Sequence, residues 1–235
     1  MALFAAILPA QLLLTLIGRR SLLPPHFLRW VGVLAGLRVL RSGRPAAGRV
    51  LLVANHTSWL DILALAGAGN SAFVAKGELA GHPALKWLCE QNDTLFIARE
   101  QRGTVARQVA QLRSALARRR MTIFPEGTTG DGTALLPFKS ALLSAVEAAD
   151  PGMTVQPVAL EYEEARHIAW HGTEPGGANI LRILARLRPV TVTVRFLAPL
   201  AEPELANRKA MAMAAERRIA EALALPTLSQ PAPMP

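Results

Sequence analysis

The chain has 235 residues, of which 51% are hydrophobic, and its 26 Lys+Arg against 17 Asp+Glu give a formal net charge of +9. This length suits one full-sized domain, and the mean hydropathy of +0.26 indicates contact with a membrane. Nucleic acid is the rival partner of a basic protein, but aromatic residues make up only 5% and no recognition motif is present. The single Cys89 excludes an internal disulfide and a multi-cysteine zinc site.

The N-terminal segment is apolar and basic, because seven arginines precede the first acidic residue, Asp61. Residues 2–17 are almost entirely apolar but shorter than the roughly 20 residues that span a bilayer comfortably. After Pro24 and Pro25, residues 27–40 form a second apolar stretch that is predicted to be helical. We predict that residues 1–42 form a membrane-docking helical hairpin, in or on the bilayer; the alternative is a pair of buried helices. The positive-inside rule places Arg19 and Arg20 on the cytoplasmic side.

Strands and helices are predicted to alternate after a turn-rich linker at residues 43–48. The predicted strands are 50–54, 72–75, 94–97, 121–124, 154–160 and 190–196, and the predicted helices are 58–66, 105–119, 140–149 and 204–225. This alternation predicts a single α/β domain over residues 48–225, with a central, mostly parallel mixed sheet flanked by helices. Residues 226–235 are predicted to be a disordered Pro-rich tail.

A histidine and a carboxylate stand five positions apart where the first predicted strand of this domain meets a helix. In α/β folds, sites are built at the carboxyl ends of strands. His56 can therefore act as a general base, with Asp61 orienting its ring. The competing interpretation is that Asp61 only caps the helix, since Ser58 and Asp61 form a Ser-x-x-Asp pattern. His26, His82, His167 and His171 have no partner at metal-ligand spacing, and no metal site is predicted.

Four sequence blocks in order resemble the lysophospholipid acyltransferase family. They are His-x-x-x-x-Asp at 56–61, Phe-Ile-Ala-Arg at 96–99, Phe-Pro-Glu-Gly-Thr at 124–128 and Val-Gln-Pro-Val at 155–158. The resemblance covers about residues 50–160 and continues more weakly to 199. It implies a glycerol-3-phosphate acyltransferase-like fold. It also implies transfer of an acyl chain from acyl-CoA or acyl carrier protein to a lipid hydroxyl, without a cofactor.

The resemblance also implies which residues bind the acceptor, because in the family the arginine of the second block and the Glu-Gly-Thr block line that site. A plainer interpretation makes the arginine a partner in a surface ion pair and the Gly-Thr step an ordinary turn. A lysine downstream is a further candidate for pairing with an anionic head group. The predicted acceptor-binding residues are Arg99, Glu126, Gly127, Thr128 and Lys139.

One departure from the family pattern concerns the acceptor head group. Members that acylate a phosphate acceptor commonly read Glu-Gly-Thr-Arg, whereas here Thr129 follows and Asp131 adds a negative charge. This departure, with residues 136–140 and 168–172, resembles the branch that acylates lyso-ornithine lipid. The primary prediction is a lysophospholipid such as 1-acyl-glycerol-3-phosphate, the commoner acceptor in the family. Lyso-ornithine lipid is the alternative, and a non-catalytic membrane-binding protein with this fold is a further one.

The predicted protein is thus a membrane-bound O-acyltransferase on the cytoplasmic side of the inner membrane. His56 deprotonates the acceptor hydroxyl, and the alkoxide attacks the donor thioester. Backbone amides near Gly127 or His56 are expected to stabilise the oxyanion.

Overall fold

The computed structural model describes residues 23–77, 89–90, 92–97, 105–147 and 152–228. Its centre is a seven-stranded sheet of order β1-β7-β6-β2-β5-β3-β4, in which only the β6–β7 pairing is antiparallel. The predicted mostly parallel mixed sheet is therefore confirmed. The strands are β1 (Leu37–Ser42), β2 (Arg49–Ala54), β3 (Ala72–Lys76), β4 (Leu95–Ile97), β5 (Met121–Ile123), β6 (Met153–Tyr162) and β7 (Val190–Phe196).

Helices cover both faces of this sheet. They are α1 (Pro24–Leu34), α2 (Leu60–Gly69), α3 (Val105–Leu116), α4 (Ser144–Glu147), α5 (Ala165–Ile168), α6 (Gly176–Leu184) and α7 (Arg208–Leu223), with a 3-10 turn at Ala141–Leu143. Among the described helices, none is long and apolar enough to cross a membrane.

The side chains of β2 alternate between two separate cores. Val50, Leu52 and Ala54 pack in the first core, with residues of α1, α2, α5 and α6. Leu51 and Val53 pack in the second core, with residues of α3, α4 and α7. Because both faces of β2 are buried, the strand is a continuous apolar run, as central parallel strands usually are.

The prediction that residues 27–40 form one helix is wrong beyond Leu34. Helix α1 begins at Pro24, where proline suits the first turn, and it ends before Gly36, whose φ of +77° is a left-handed conformation. Leu37 to Ser42 then pair in parallel with β7 as an edge strand. The sheet thus begins before the predicted domain boundary at residue 48, and residues 1–22 of the predicted hairpin lie outside the described residues.

Three further differences concern the C-terminal half. The predicted helix 140–149 is a 3-10 turn followed by the short α4, and helices α5 and α6 were not predicted. The predicted disordered tail is ordered over its first three residues. Leu135 donates its amide to the Pro226 carbonyl at 2.9 Å and accepts from the Leu228 amide at 2.9 Å. This pairing satisfies backbone groups that residues 226–228 would otherwise expose to water.

Candidate active site

The candidate site lies where β2, β5 and β6 end, and these three strands are adjacent in the sheet. His56 follows β2 by two residues, Glu126 follows β5 by three, and Tyr162 is the last residue of β6. Since parallel strands end at the same edge, side chains 70 and 101 positions apart in sequence meet there.

The predicted His–Asp pair is formed. Nδ1 of His56 lies 2.8 Å from Oδ2 of Asp61, which is fully buried, while the imidazole is 19% exposed. When Nδ1–H is donated to the carboxylate, Nε2 carries the lone pair on the other side of the ring. The arrangement therefore presents a base to a hydroxyl that enters from the open side.

Asp61 also organises the start of α2. Its Oδ2 accepts from the backbone amides of Thr57 at 2.7 Å and Ser58 at 2.9 Å. The bond from Ser58 is the carboxylate half of a capping box. One carboxylate thus contacts both the helix start and the histidine, so the geometry is compatible with either interpretation of Asp61 and its role stays a prediction.

Tyr162 was missed by the sequence analysis. Its hydroxyl donates to Oδ1 of Asp61 at 2.5 Å, so both oxygens of that carboxylate are engaged. Burial raises the pKa of Tyr162 well above its ordinary value, and the charge of Asp61 raises it further, so the phenol stays a proton donor. The one available signal was that Tyr162 is the chain's single tyrosine. The predicted strand ended at residue 160, two residues before it.

An aromatic ring holds the plane of the imidazole. Phe124 stacks on His56 with ring centroids 4.1 Å apart and an interplanar angle of 17°. Phe73 is parallel to Phe124 at 6.3 Å and continues the stack towards the core. The first residue of the Phe-Pro-Glu-Gly-Thr block thus restricts rotation of the candidate base.

Glu126 is buried and braces the backbone of the histidine. Its Oε1 accepts from the His56 amide at 2.6 Å, and its Oε2 accepts from the Leu136 amide at 3.0 Å. Burial raises the pKa of Glu126 to about 7, against these two hydrogen bonds, which lower it. With both oxygens engaged inside the protein, Glu126 is placed to position His56, and its contact with an acceptor stays a prediction.

This buried carboxyl predicts a pH dependence of stability. Because the pKa of Glu126 is raised from 4.5 to about 7 in the folded state, folding favours proton binding. The stabilisation is complete below pH 4.5 and is lost as the pH rises through about 7. The loss should be at most about 3 kcal/mol. Thermal unfolding from pH 4.5 to 8.5 measures this loss, and Glu126→Gln is the control because it has no carboxyl group to titrate at this position. If the free energies of unfolding of the two proteins change with pH in parallel, the prediction is wrong.

Of the other predicted acceptor-binding residues, Gly127, Thr128 and Lys139 are described and Arg99 is not. Gly127 has φ +81°, a conformation that favours glycine, and Thr128 and Lys139 are exposed. Arg99 lies outside the described residues, so its role stays a prediction. The amide of His56 donates to Glu126, and that of Gly127 donates to the Phe124 carbonyl at 3.0 Å. These two amides are therefore engaged within the protein, and the expectation that backbone amides near them stabilise the oxyanion stays a prediction.

The loop after Glu-Gly-Thr is fastened to the segment after β6. Thr129 donates its hydroxyl to the Trp170 carbonyl, and the Trp170 amide donates to the Thr57 carbonyl at 3.0 Å. Gly130 donates its amide to the His56 carbonyl at 2.8 Å. Trp170 is thus a second residue of the site whose contacts are not predicted from the sequence, although its segment, residues 168–172, carries part of the family resemblance.

Charged groups surround the exposed Asp131 beside this loop. The amide and hydroxyl of Thr133 donate to its carboxylate and, with the charges of His171 and Arg166, lower its pKa. Arg166 and His171 also line an open cleft of about 520 Å³. Within the described residues, no three His, Cys, Asp or Glu side chains are grouped as a metal ion would require.

Known proteins resemble this chain over most of its length. A family model described as Acyltransferase matches residues 38–161. Over 93% of this chain and 88% of the relative, the sequence is 34% identical to a lyso-ornithine lipid O-acyltransferase of Brucella abortus (strain 2308). It is 35% identical to a 1-acyl-sn-glycerol-3-phosphate acyltransferase of Neisseria meningitidis serogroup B, over 77% of this chain and 73% of that protein.

A solved structure shares the fold. The crystal structure of the 1-acyl-sn-glycerophosphate (LPA) acyltransferase PlsC from Thermotoga maritima aligns with a TM-score of 0.58 at 23% identity, covering 87% of this chain and 78% of that one. The fold and the family match define an acyl-transferring enzyme. The chain belongs to the acyltransferase family and resembles its lipid-modifying members.

Proposed function

We propose that this enzyme transfers a fatty acyl chain from acyl-CoA or acyl carrier protein to the hydroxyl of lyso-ornithine lipid. The observation that carries acyl transfer is the His56–Asp61 pair at 2.8 Å, with the second ring nitrogen left for a substrate. The relatives that support this acceptor include lyso-ornithine lipid O-acyltransferases of Brucella abortus and Rhodobacter capsulatus, each 34% identical.

The proposed reaction needs no enzyme nucleophile. Nε2 of His56 removes the proton of the acceptor hydroxyl, and the alkoxide attacks the carbonyl carbon of the donor thioester. The tetrahedral intermediate expels the thiolate, which takes the proton back from His56. Asp61, held by Tyr162 and two backbone amides, stabilises the imidazolium between these steps.

The charges beside the site support an acceptor whose head group carries both signs. Ornithine, once its α-amino group is acylated, presents a carboxylate and an ammonium. We infer that Asp131 pairs with the ammonium, and that Arg166 in the adjacent cleft pairs with the carboxylate. Thr129 occupies the position of the phosphate-reading arginine, and its hydroxyl is used by Trp170. A doubly charged phosphate would lie near the negative Asp131, with no arginine at position 129 to pair with it.

A second candidate acceptor is 1-acyl-glycerol-3-phosphate, which was the primary prediction from the sequence. The Neisseria meningitidis relative, named as an acyltransferase for that lipid, favours it. Arg99 and the exposed Lys139 would then hold the phosphate.

Membrane association on the cytoplasmic face of the inner membrane is also proposed, supported by the apolar, acid-free residues 1–60.

Purified enzyme given one acyl donor and each acceptor in separate reactions tests the proposal. We expect faster transfer to lyso-ornithine lipid than to lysophosphatidic acid. Asp131→Asn can keep the hydrogen bond from the Thr133 amide but removes the charge. It should therefore raise the KM for lyso-ornithine lipid by roughly tenfold or more. The KM for lysophosphatidic acid should not rise, because a negative group near the phosphate is lost.

The matched control is Glu221→Gln, which removes one exposed carboxylate from α7 on the other side of the sheet. It should leave both KM values unchanged. Faster transfer to lysophosphatidic acid by the unmodified enzyme would replace our acceptor with the second candidate. A folded, pure protein that acylates neither lipid with either donor would support the non-catalytic alternative.

A further inference from the structure

Four exposed leucines lie on two segments that meet at one corner of the molecule, and we name them the leucine rim: Leu34 at the end of α1, Leu181 and Leu184 on α6, and Leu187 after α6. We propose that the leucine rim inserts into an anionic lipid bilayer and holds the catalytic edge of the sheet against it. The lipid acceptor of the proposed function gives this contact its purpose, and its head group would reach His56 from that side.

The leucine rim is exposed although the helices that carry it are well packed. Leu34 is 72% exposed, Leu181 70% and Leu184 50%, and Leu187 is fully exposed. On α6, Asn179 and Ile183 turn inward and are buried, and Ile183 belongs to the first core. Helix α6 thus has one apolar side in the protein and a second one in solvent, as helices at a membrane interface do.

The segments that follow the two helices meet at a backbone hydrogen bond. The amide of Val190 donates to the carbonyl of Gly36 at 2.9 Å. Leu34 precedes Gly36 by two residues, and Leu187 precedes Val190 by three. The end of α1 and the segment after α6 therefore meet at this hydrogen bond, which brings the two parts of the leucine rim to the same corner.

The charge around the leucine rim fits an anionic surface. Residues 23–60 and 175–201 contain no acidic residue. Arg38, Arg41 and Arg188 are exposed, and none of the three pairs with a carboxylate within 4 Å among the described residues. Two exposed carboxylates lie beside the start of β7: Glu164 pairs with Arg186, and the amide of Glu163 donates to the Thr191 carbonyl. The arginines are therefore in excess at this corner. Apolar side chains flanked by arginines are attracted by anionic lipid, whereas a protein partner would need a matching acidic and apolar face.

The leucine rim lies at the same edge of the sheet as the candidate active site. Strand β7 runs antiparallel to β6, and Val192 pairs with Tyr162, the residue that bonds Asp61. The start of β7 is therefore beside the end of β6. Strand β1 is parallel to β7, so Leu37 begins at this edge too. A membrane that contacts the leucine rim faces the strand ends that carry His56.

A fluorescent label on the full-length chain tests insertion directly. In a Cys89→Ser background, Leu187→Cys carries an environment-sensitive fluorophore. The control is Met213→Cys, another exposed apolar position, on α7 in the opposite layer. With vesicles of phosphatidylglycerol and phosphatidylcholine, emission at residue 187 should shift to the blue, and emission at residue 213 should not. Vesicle-bound protein without a shift at residue 187 would overturn the proposal. A blue shift at residue 187 that appears without vesicles when the protein concentration is raised would overturn the proposal. It would instead assign the leucine rim to contact with a second copy of the chain.

An activity assay separates this proposal from the proposed function. The double variant Leu181→Glu/Leu187→Glu should lower transfer to a vesicle-embedded acceptor by about tenfold or more, because two leucines no longer insert into the bilayer. Transfer to a short-chain acceptor dissolved below its micelle concentration should be unchanged, and Met213→Glu should affect neither reaction. Equal loss on both acceptors would contradict the leucine rim. If unmodified enzyme acylates no acceptor, the proposed function fails, while the label still reports whether the leucine rim inserts.

Discussion

Replacing His56 with alanine should lower kcat by at least roughly 10²–10⁴-fold, because the acceptor hydroxyl then loses the base proposed to remove its proton. The replacement removes the imidazole but leaves the His56 amide, which donates to Glu126 at 2.6 Å. The loop should therefore keep its backbone anchor. Initial rates with lyso-ornithine lipid and a saturating donor measure the effect.

Two controls make this result specific for proton removal. The thermal unfolding temperature of His56→Ala should stay close to that of the unmodified enzyme, since the ring is partly exposed. His56→Gln keeps a polar side chain of similar size that can still touch Phe124, and it should be as inactive as His56→Ala. Turnover near the unmodified level in either folded variant would refute the mechanism.

The second large effect is expected for Asp61→Asn, which should reduce kcat by about 10²–10⁴-fold. Oδ2 of Asp61 accepts from His56 and from two backbone amides, and Oδ1 accepts from Tyr162. An asparagine carries no charge and has only one acceptor oxygen, and an amide nitrogen in place of Oδ2 would face His56 and two backbone donors. The imidazole then loses both its tautomer preference and the charge that stabilises its protonated form.

A milder substitution at the same carboxylate separates orientation from folding. Tyr162→Phe removes one hydrogen bond to Asp61 but leaves its charge and its contact with His56. We expect it to lower the rate by no more than roughly tenfold, from the value of one hydrogen bond. If Asp61→Asn is folded and as active as the unmodified enzyme, then Asp61 serves only the start of α2.

The predictable parts of the site are those that depend on nearby residues. His56 and Asp61 are five positions apart, so a strand end followed by a helix start brings them together through local geometry alone. The same holds for the Ser58 amide, whose bond to Asp61 spans three positions. The alternation of strands and helices predicted the layered sheet for a similar reason, because each element's own pattern must bury one or both faces.

Local sequence was ambiguous where a neighbour decides the conformation. Residues 37–40 are apolar enough for either a helix or a strand, and they became β1 because β7 offers a free edge for pairing. The apparently disordered tail is ordered where Leu135 pairs with it. In both places the partner lies more than 90 positions away in the sequence, so no local pattern predicts the pairing.

The amino-acid sequence by itself thus determined the class of enzyme and its histidine–aspartate pair. Only the tertiary structure decided what holds that pair and what surrounds it. Tyr162 reaches Asp61, and Glu126 reaches the His56 amide, because β6 and β5 end on either side of β2. The register of three adjacent strands sets those distances. Register arises from packing against both cores together, and a single strand's sequence does not contain it.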